Sequence, residues 1–131
     1  MASSMTKKLT GPKLRKKLIR ELDKLVGDLV KARHPYCVIC HARGEQRSPV
    51  MQPGHLVSRR YYSVRWDLNN VFTQCQYHNS LHRFDTFPYD SWYIQEFGLG
   101  KWNALHEKKK ELKQWKIWQL EELKAELTLM L

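Results

Sequence analysis

The chain has 131 residues, with 23 Lys and Arg against 13 Asp and Glu and a formal net charge of +10. That length suits one domain with one core, and the positive balance favours polyanions, nucleic acid first and acidic membranes second. No window approaches the roughly 18 apolar residues of a membrane span, and three cysteines, an odd number, argue against a disulfide framework and for reduced thiols or a metal.

The charge is uneven. Residues 1–33 hold ten Lys/Arg and three acids, residues 34–88 six and three, and residues 89–131 seven and seven. The opening residues, "MASSMTKKLTGPKLRKKLIREL", carry charge throughout and lack the apolar run of a secretory signal, so a cytoplasmic location is expected. From Pro12 to about Arg33, Leu14, Leu18, Leu22, Leu25, Val26, Leu29 and Val30 recur at helical spacing. Pro12 suits the first turn and His34-Pro35 stops the helix. Its other face carries Lys13, Lys16, Lys17, Arg20, Lys24 and Lys31, which is either simply solvated or a DNA contact.

The middle, residues 36–88, is loop-rich and poor in periodic apolar residues, so a structural metal is its expected source of stability. "CVICH", residues 37–41, opens it. That string serves either c-type haem attachment or half of a zinc site. Haem attachment needs export, which nothing here directs, whereas Cys75 and His78 repeat the three-residue spacing of Cys37 and Cys40 further along. Four such ligands satisfy a tetrahedral structural zinc with no open position. His41 and His34 are the alternative nitrogen ligands, and the paired spacing favours His78.

"SPVMQPGHLVS" predicts two short strands around a Pro53-Gly54 turn or bulge. "TQCQYHNSLHRF" predicts a helix opened by Thr73 and Gln76 at capping-box spacing, with Cys75, His78, Asn79 and His82 on one face. For isolated residues, Asn79 as a cap and His82 as packing would be the plainer reading, but their neighbours favour a site. All six basic residues of the middle are Arg, among them Arg59, Arg60 and Arg65 beside His55, and guanidinium matches phosphate oxygens as a fork. "DSWYIQEF" predicts a helix from Asp90 as N-cap to Gly98. A last helix is expected from about Lys101 to the end, with Leu105, Leu112, Trp115, Leu120, Leu123, Leu127 and Met130 as its apolar side. Trp92, Trp102, Trp115 and Trp118 read as packing residues.

His55 in "PGHLVSRR", Asn70 in "LNNVFTQC" and His82 in "HNSLHRF", braced by paired zinc ligands, form the His-Asn-His arrangement of metal-dependent nucleases. The chain resembles the HNH, or ββα-metal (His-Me finger), endonucleases. Over about residues 14–125 it is most similar to the NinG/Rap recombination endonucleases of lambdoid bacteriophages, on "KLIRELDKLVGDLVKARHPYCVIC", "PGHLVSRRYYSVRWDLNNVFTQC" and "HNSLHRF".

The resemblance implies a single α+β domain. A zinc-braced ββα-metal core (36–88) would be flanked by a basic amphipathic helix (1–35) and carboxyl-terminal helices (89–131). It implies hydrolysis of phosphodiester bonds in branched recombination intermediates such as Holliday junctions and D-loops, in the cytoplasm of a bacterial host. His55 would be the general base, since an imidazole near pKa 6.5 can deprotonate water at neutral pH. Asn79 and His82 would hold a catalytic Mg²⁺ or Mn²⁺, and Asn70 would position the His55 loop. Arg59, Arg60 and Arg65 would contact DNA phosphates. A four-way junction needs two active sites, so a homodimer through the long terminal helices is expected, with neither membrane nor haem as partner.

Two positions depart from the pattern. Gly54 stands where many HNH sites have an acidic ligand before the base, leaving Asp67 or Asp85 as possible substitutes, and His78 stands where a Cys is usual. The competing expectations are a nicking HNH enzyme on linear duplex and a non-catalytic zinc DNA-binding module.

Overall fold

The computed structural model describes residues 11–131. Lys7 and Lys8 of the basic amino-terminal segment, and the start of the stretch read for an export signal, lie outside the described residues. Within them are six helices and a two-stranded antiparallel sheet, an α+β architecture. No helix among the described residues is long and apolar enough to cross a membrane.

Helix α1 (Gly11–Arg33) carries its apolar stripe as spaced, with Leu18, Leu22, Val26, Leu29 and Val30 buried. Helix α2 (Val38–Arg43) is short and ends at Gly44, whose φ of 66° supplies the left-handed cap that a side chain would strain. Strand β1 (Met51–His55) pairs antiparallel with β2 (Val71–Cys75), Met51 opposite Cys75 and His55 opposite Val71. Helix α3 (Gln76–Leu81) follows β2 directly.

This corrects two expectations. Pro53 and Gly54 do not turn the chain; they lie inside β1, whose partner strand arrives only after the long connection 56–70. Thr73 does not cap a helix either, because it sits in β2 and donates its hydroxyl to Val30 O at 3.3 Å. Val71 and Phe72 favour extended backbone, and ladder pairing with β1 prevails over the local capping-box spacing.

Helix α4 (Phe87–Phe97) begins three residues before Asp90, with Thr86 as N-cap residue and Pro88 in its first turn. Asp90 accepts from Trp102 Nε1 at 2.9 Å instead of capping. The carboxyl-terminal region is two helices, α5 (Leu99–Lys109) and α6 (Ile117–Thr128). The break between them is pinned from outside: Arg15 donates to Trp115 O, and Trp115 Nε1 donates to Tyr62 O at 3.0 Å. Leu112 is consequently 97 % exposed and Trp118 59 % exposed, so neither packs as the spacing predicts.

Two apolar clusters meet at the sheet. One joins α1 to α6 through Leu18, Leu22, Leu120 and Leu127, with Trp66 and Val71. The other surrounds the cysteines and takes in Phe72, Tyr89, Tyr93 and Leu105. A two-strand sheet is marginal alone, and here both its faces are covered. The apolar faces of α1 and α6, expected at a dimer surface, pack against one another within the chain.

Candidate metal centre and adjoining cavity

Cys37, Cys40, Cys75 and His78 are all buried, and their ligand atoms lie within 4.8 Å of one another. Local structure aims them. Cys37 precedes α2 and its sulfur accepts from Cys40 N at 3.4 Å, folding the first pair into a knuckle. Cys75 ends β2, and His78 stands one turn into α3.

The spacing tests the fit to a metal. Zn–S bonds of about 2.3 Å and Zn–N bonds of about 2.0–2.1 Å put tetrahedron edges at roughly 3.8 Å and 3.6 Å. Cys40 Sγ lies 3.7 Å from Cys75 Sγ, while His78 Nδ1 lies 3.4–3.5 Å from all three sulfurs. A disulfide would need about 2.05 Å, and the three cysteines are free. The buried Cys3His group can therefore hold a structural metal such as zinc. Burial, with Cys37 and Cys75 alongside, pushes the Cys40 thiol up to about 12, so metal entry must displace protons. His78 Nε2, on the far side of the ring, lies 3.2 Å from Glu45 Oε1, close enough to orient the ring by charge though not aligned as a hydrogen bond. His41 stacks on Tyr36 and His34 packs on Phe72, and neither joins the ligand group.

A cavity of about 760 Å³ lies beside β1 and α3. His55, Asn79, His82, Arg59 and Arg65 line it, together with Asp23, Gly27 and Arg83. His55 ends β1, and its Nε2 donates to Arg65 O at 2.8 Å, which leaves Nδ1 as the proton acceptor. Burial lowers the His55 pKa, opposed by the bond to Arg65 O. Burial therefore favours the neutral ring. His82, at the end of α3, makes the matching contact: Nε2 donates to Leu56 O at 2.8 Å, and buried Nδ1 is left without a partner. Asn79 Nδ2 donates to Gln52 Oε1 at 2.8 Å, fixing which way the amide faces.

Asn70 does not itself line the cavity and is wholly buried. Its Oδ1 accepts from Val57 N at 2.8 Å, and its Nδ2 donates to Val57 O at 2.9 Å and Val64 O at 3.0 Å. One side chain thereby ties both halves of the 56–70 connection, which also supplies the Arg65 carbonyl that holds His55.

The three arginines differ. Arg65 is bidentate to Asp23 through Nε and Nη2, at 3.0 Å and 2.7 Å, which ties it to α1. Trp66 Nε1 donates to the same carboxylate at 2.9 Å. Burial raises the Asp23 pKa, but the Arg65 and Trp66 bonds outweigh it and hold the carboxyl below the usual range. Arg60 lies over Tyr61 and does not line the cavity. Arg59 does line it and is exposed, as is Arg83.

Arg83, Asp23 and Gln52 carry no local signal in the sequence, since each matters through partners far along the chain. Asp67 is taken by Lys108 at 2.7 Å, and Asp85 accepts from Phe87 N, so neither substitutes for the missing acid. Gly54 has a steric reason: a Cβ there would meet Gln74 Nε2 at 2.7 Å and Asn79 Oδ1 at 3.1 Å.

Fold and site define an α+β protein with a buried Cys3His group able to hold a metal, together with a cationic, histidine-lined cavity. Compared with protein-family profiles, curated proteins and solved structures, the chain matches none.

Proposed function

We propose that this chain is a metal-dependent DNA endonuclease of the HNH, ββα-metal kind, acting on branched recombination intermediates as the NinG/Rap resemblance implies. The observation that carries the reading is the cavity itself. It sets a half-buried His55 with a free Nδ1 beside Asn79 and His82, whose own buried Nδ1 is unpartnered.

His55 Nδ1 takes a proton from the attacking water, while the bond to Arg65 O keeps the ring in the required tautomer. Arg59 and Arg83 attract the scissile phosphate and offset its developing charge. Asn70 acts at one remove by holding the loop that holds His55. His82 and Asn79 supply one nitrogen and one oxygen donor. A bound Mg²⁺ or Mn²⁺ would act as a Lewis acid toward the leaving oxygen, completing its shell with water and phosphate oxygens. The Cys3His metal has a bracing role only, since all four of its positions are filled.

One observation favours the non-catalytic alternative, a zinc-stabilised DNA-binding module. The single carboxylate lining the cavity among the described residues, Asp23, is committed to Arg65, so a cation there has few protein ligands.

The test compares a four-way junction with a matched linear duplex, with Mg²⁺ or Mn²⁺, for the wild-type chain and His55→Ala. Preferential metal-dependent junction cutting that the variant loses is the expected result. Equal rates on both substrates count against the recombination role and favour a nickase on linear duplex, and binding without cutting favours the non-catalytic module.

A further inference from the structure

We propose that the exposed cationic stripe of α1 is the track along which one duplex DNA arm leaves the cavity, over about 8 base pairs of DNA. The inference rests on the nuclease reading for its partner, and on the geometry and electrostatics of α1 for its path.

Lys13, Lys16, Lys17, Arg20, Lys24 and Lys31 are all exposed. At 100° per residue they fall within one arc of the helix. Gly27 and Asp23, which line the cavity, sit at the edge of that same arc. The stripe therefore runs out of the cavity wall rather than lying elsewhere on the surface. Opposite it, Leu18, Leu22, Val26 and Leu29 are buried against α6 and the sheet.

The arrangement works against the helix that bears it. Lys13 and Lys17, Lys16 and Arg20, and Arg20 and Lys24 are like charges four residues apart, which repel. The first turn has no acid, so the amino-terminal cations also oppose the helix dipole. Relief from within the chain is scarce. Among the described residues only Lys24 of the six has a carboxylate partner, Asp28 at 2.9 Å. The other acids of α1 are turned away, Glu21 to Lys124 at 2.8 Å and Asp23 to Arg65.

A polyanion removes this repulsion. DNA fits better than a membrane surface, because an interfacial helix must insert an apolar face and that of α1 is already inside the core. From Lys13 to Lys31 the stripe covers about 27 Å at 1.5 Å per residue, or about 8 base pairs at 3.4 Å each.

The test is fluorescence anisotropy of the zinc-loaded full chain on labelled duplexes at several salt concentrations, without added Mg²⁺ or Mn²⁺. In the stripe variant, Lys13, Lys17, Arg20 and Lys31 are each replaced by Gln. Its salt slope should shrink by about 0.9 for each phosphate that is no longer neutralised. Binding should weaken at least tenfold, with no fall in Tm because repulsion is relieved. A charge-matched control replaces Lys101, Lys110, Lys113 and Lys116 with Gln and should keep the wild-type slope. Affinity should rise with duplex length up to about 8 base pairs along the stripe and then level off.

An unchanged slope in the stripe variant, equal losses in both variants, a lowered Tm, or stripe-dependent binding to phosphatidylserine vesicles in preference to duplex would each overturn the proposal. A chain that binds duplex through the stripe but never cuts DNA would refute the nuclease reading and leave the track standing.

Discussion

Asn70→Ala should be among the most destabilising single changes in the molecule, although Asn70 lines no cavity. The substitution removes three hydrogen bonds at a position 0 % exposed. A buried hydrogen bond contributes about 1 kcal/mol net, and a buried group left unpaired costs about 1–3 kcal/mol. Val57 loses a partner for both its N–H and its carbonyl, and Val64 loses one for its carbonyl. Water entering the vacated space recovers part of that loss, leaving about 3–5 kcal/mol. For a chain of this size each kcal/mol shifts Tm by about 3–5 °C, so the expected drop is about 10–20 °C. Thermal unfolding of the zinc-loaded protein, followed by far-ultraviolet circular dichroism, reads it. Asn70→Asp sharpens the test. It keeps the shape but faces a carboxylate toward two carbonyls, so it should be at least as damaging, whereas a role limited to filling space predicts near neutrality. A Tm shift below about 3 °C in both variants would refute the reasoning.

Elemental analysis should find one zinc per chain, and chelation or Cys75→Ser should unfold residues around the sheet, since structural zinc contributes on the order of 10 kcal/mol to small domains; retained cooperative unfolding after complete zinc removal would contradict this. Gly54→Asp should lower stability by about 1–3 kcal/mol in denaturant titration, because a Cβ there meets Gln74 and Asn79, and restoring the acid common in HNH sites should not raise activity. Burial lowers the pKa of His55, so the acid limb of kcat/KM should fall below the ordinary imidazole value of about 6.5; a limb above it would exclude His55 as the titrating base. His106 is lowered in the same way. For both groups the unfolded chain binds more protons, so their contribution to stability is full above about 6.5 and is lost as pH falls through the lower folded values.

The Cys3His cluster was the most legible part of the sequence. Cys37, Cys40, Cys75 and His78 come in two pairs with the same spacing, and ligand chemistry alone draws such pairs together. The apolar stripe of α1 was legible for a similar reason, since burial of one face enforces a regular period. What failed was local reasoning where distant partners decide. Thr73 and Gln76 have the spacing of a capping box, but β1 captures Val71–Cys75 first. Glu111 to Lys116 has no Gly or Pro to end a helix, yet Arg15 and Tyr62 hold that backbone open. The ion pair of Arg65 was not legible because its partner, Asp23, lies 42 residues away on α1. The role of Gly54 as a close approach to Gln74 was equally invisible without the register of the sheet.

The central claim is that His55 is the base of a metal-dependent phosphodiesterase, and nicking of supercoiled plasmid tests it most directly. Wild-type chain, His55→Ala and His55→Gln, each zinc-loaded and of matched Tm, are compared with Mg²⁺ or Mn²⁺ and with neither. Nicking should require the added ion and fall about 10²–10⁴-fold in both variants. Nicking that persists undiminished in the variants, or no ion-dependent nicking by the wild-type chain, would contradict the claim.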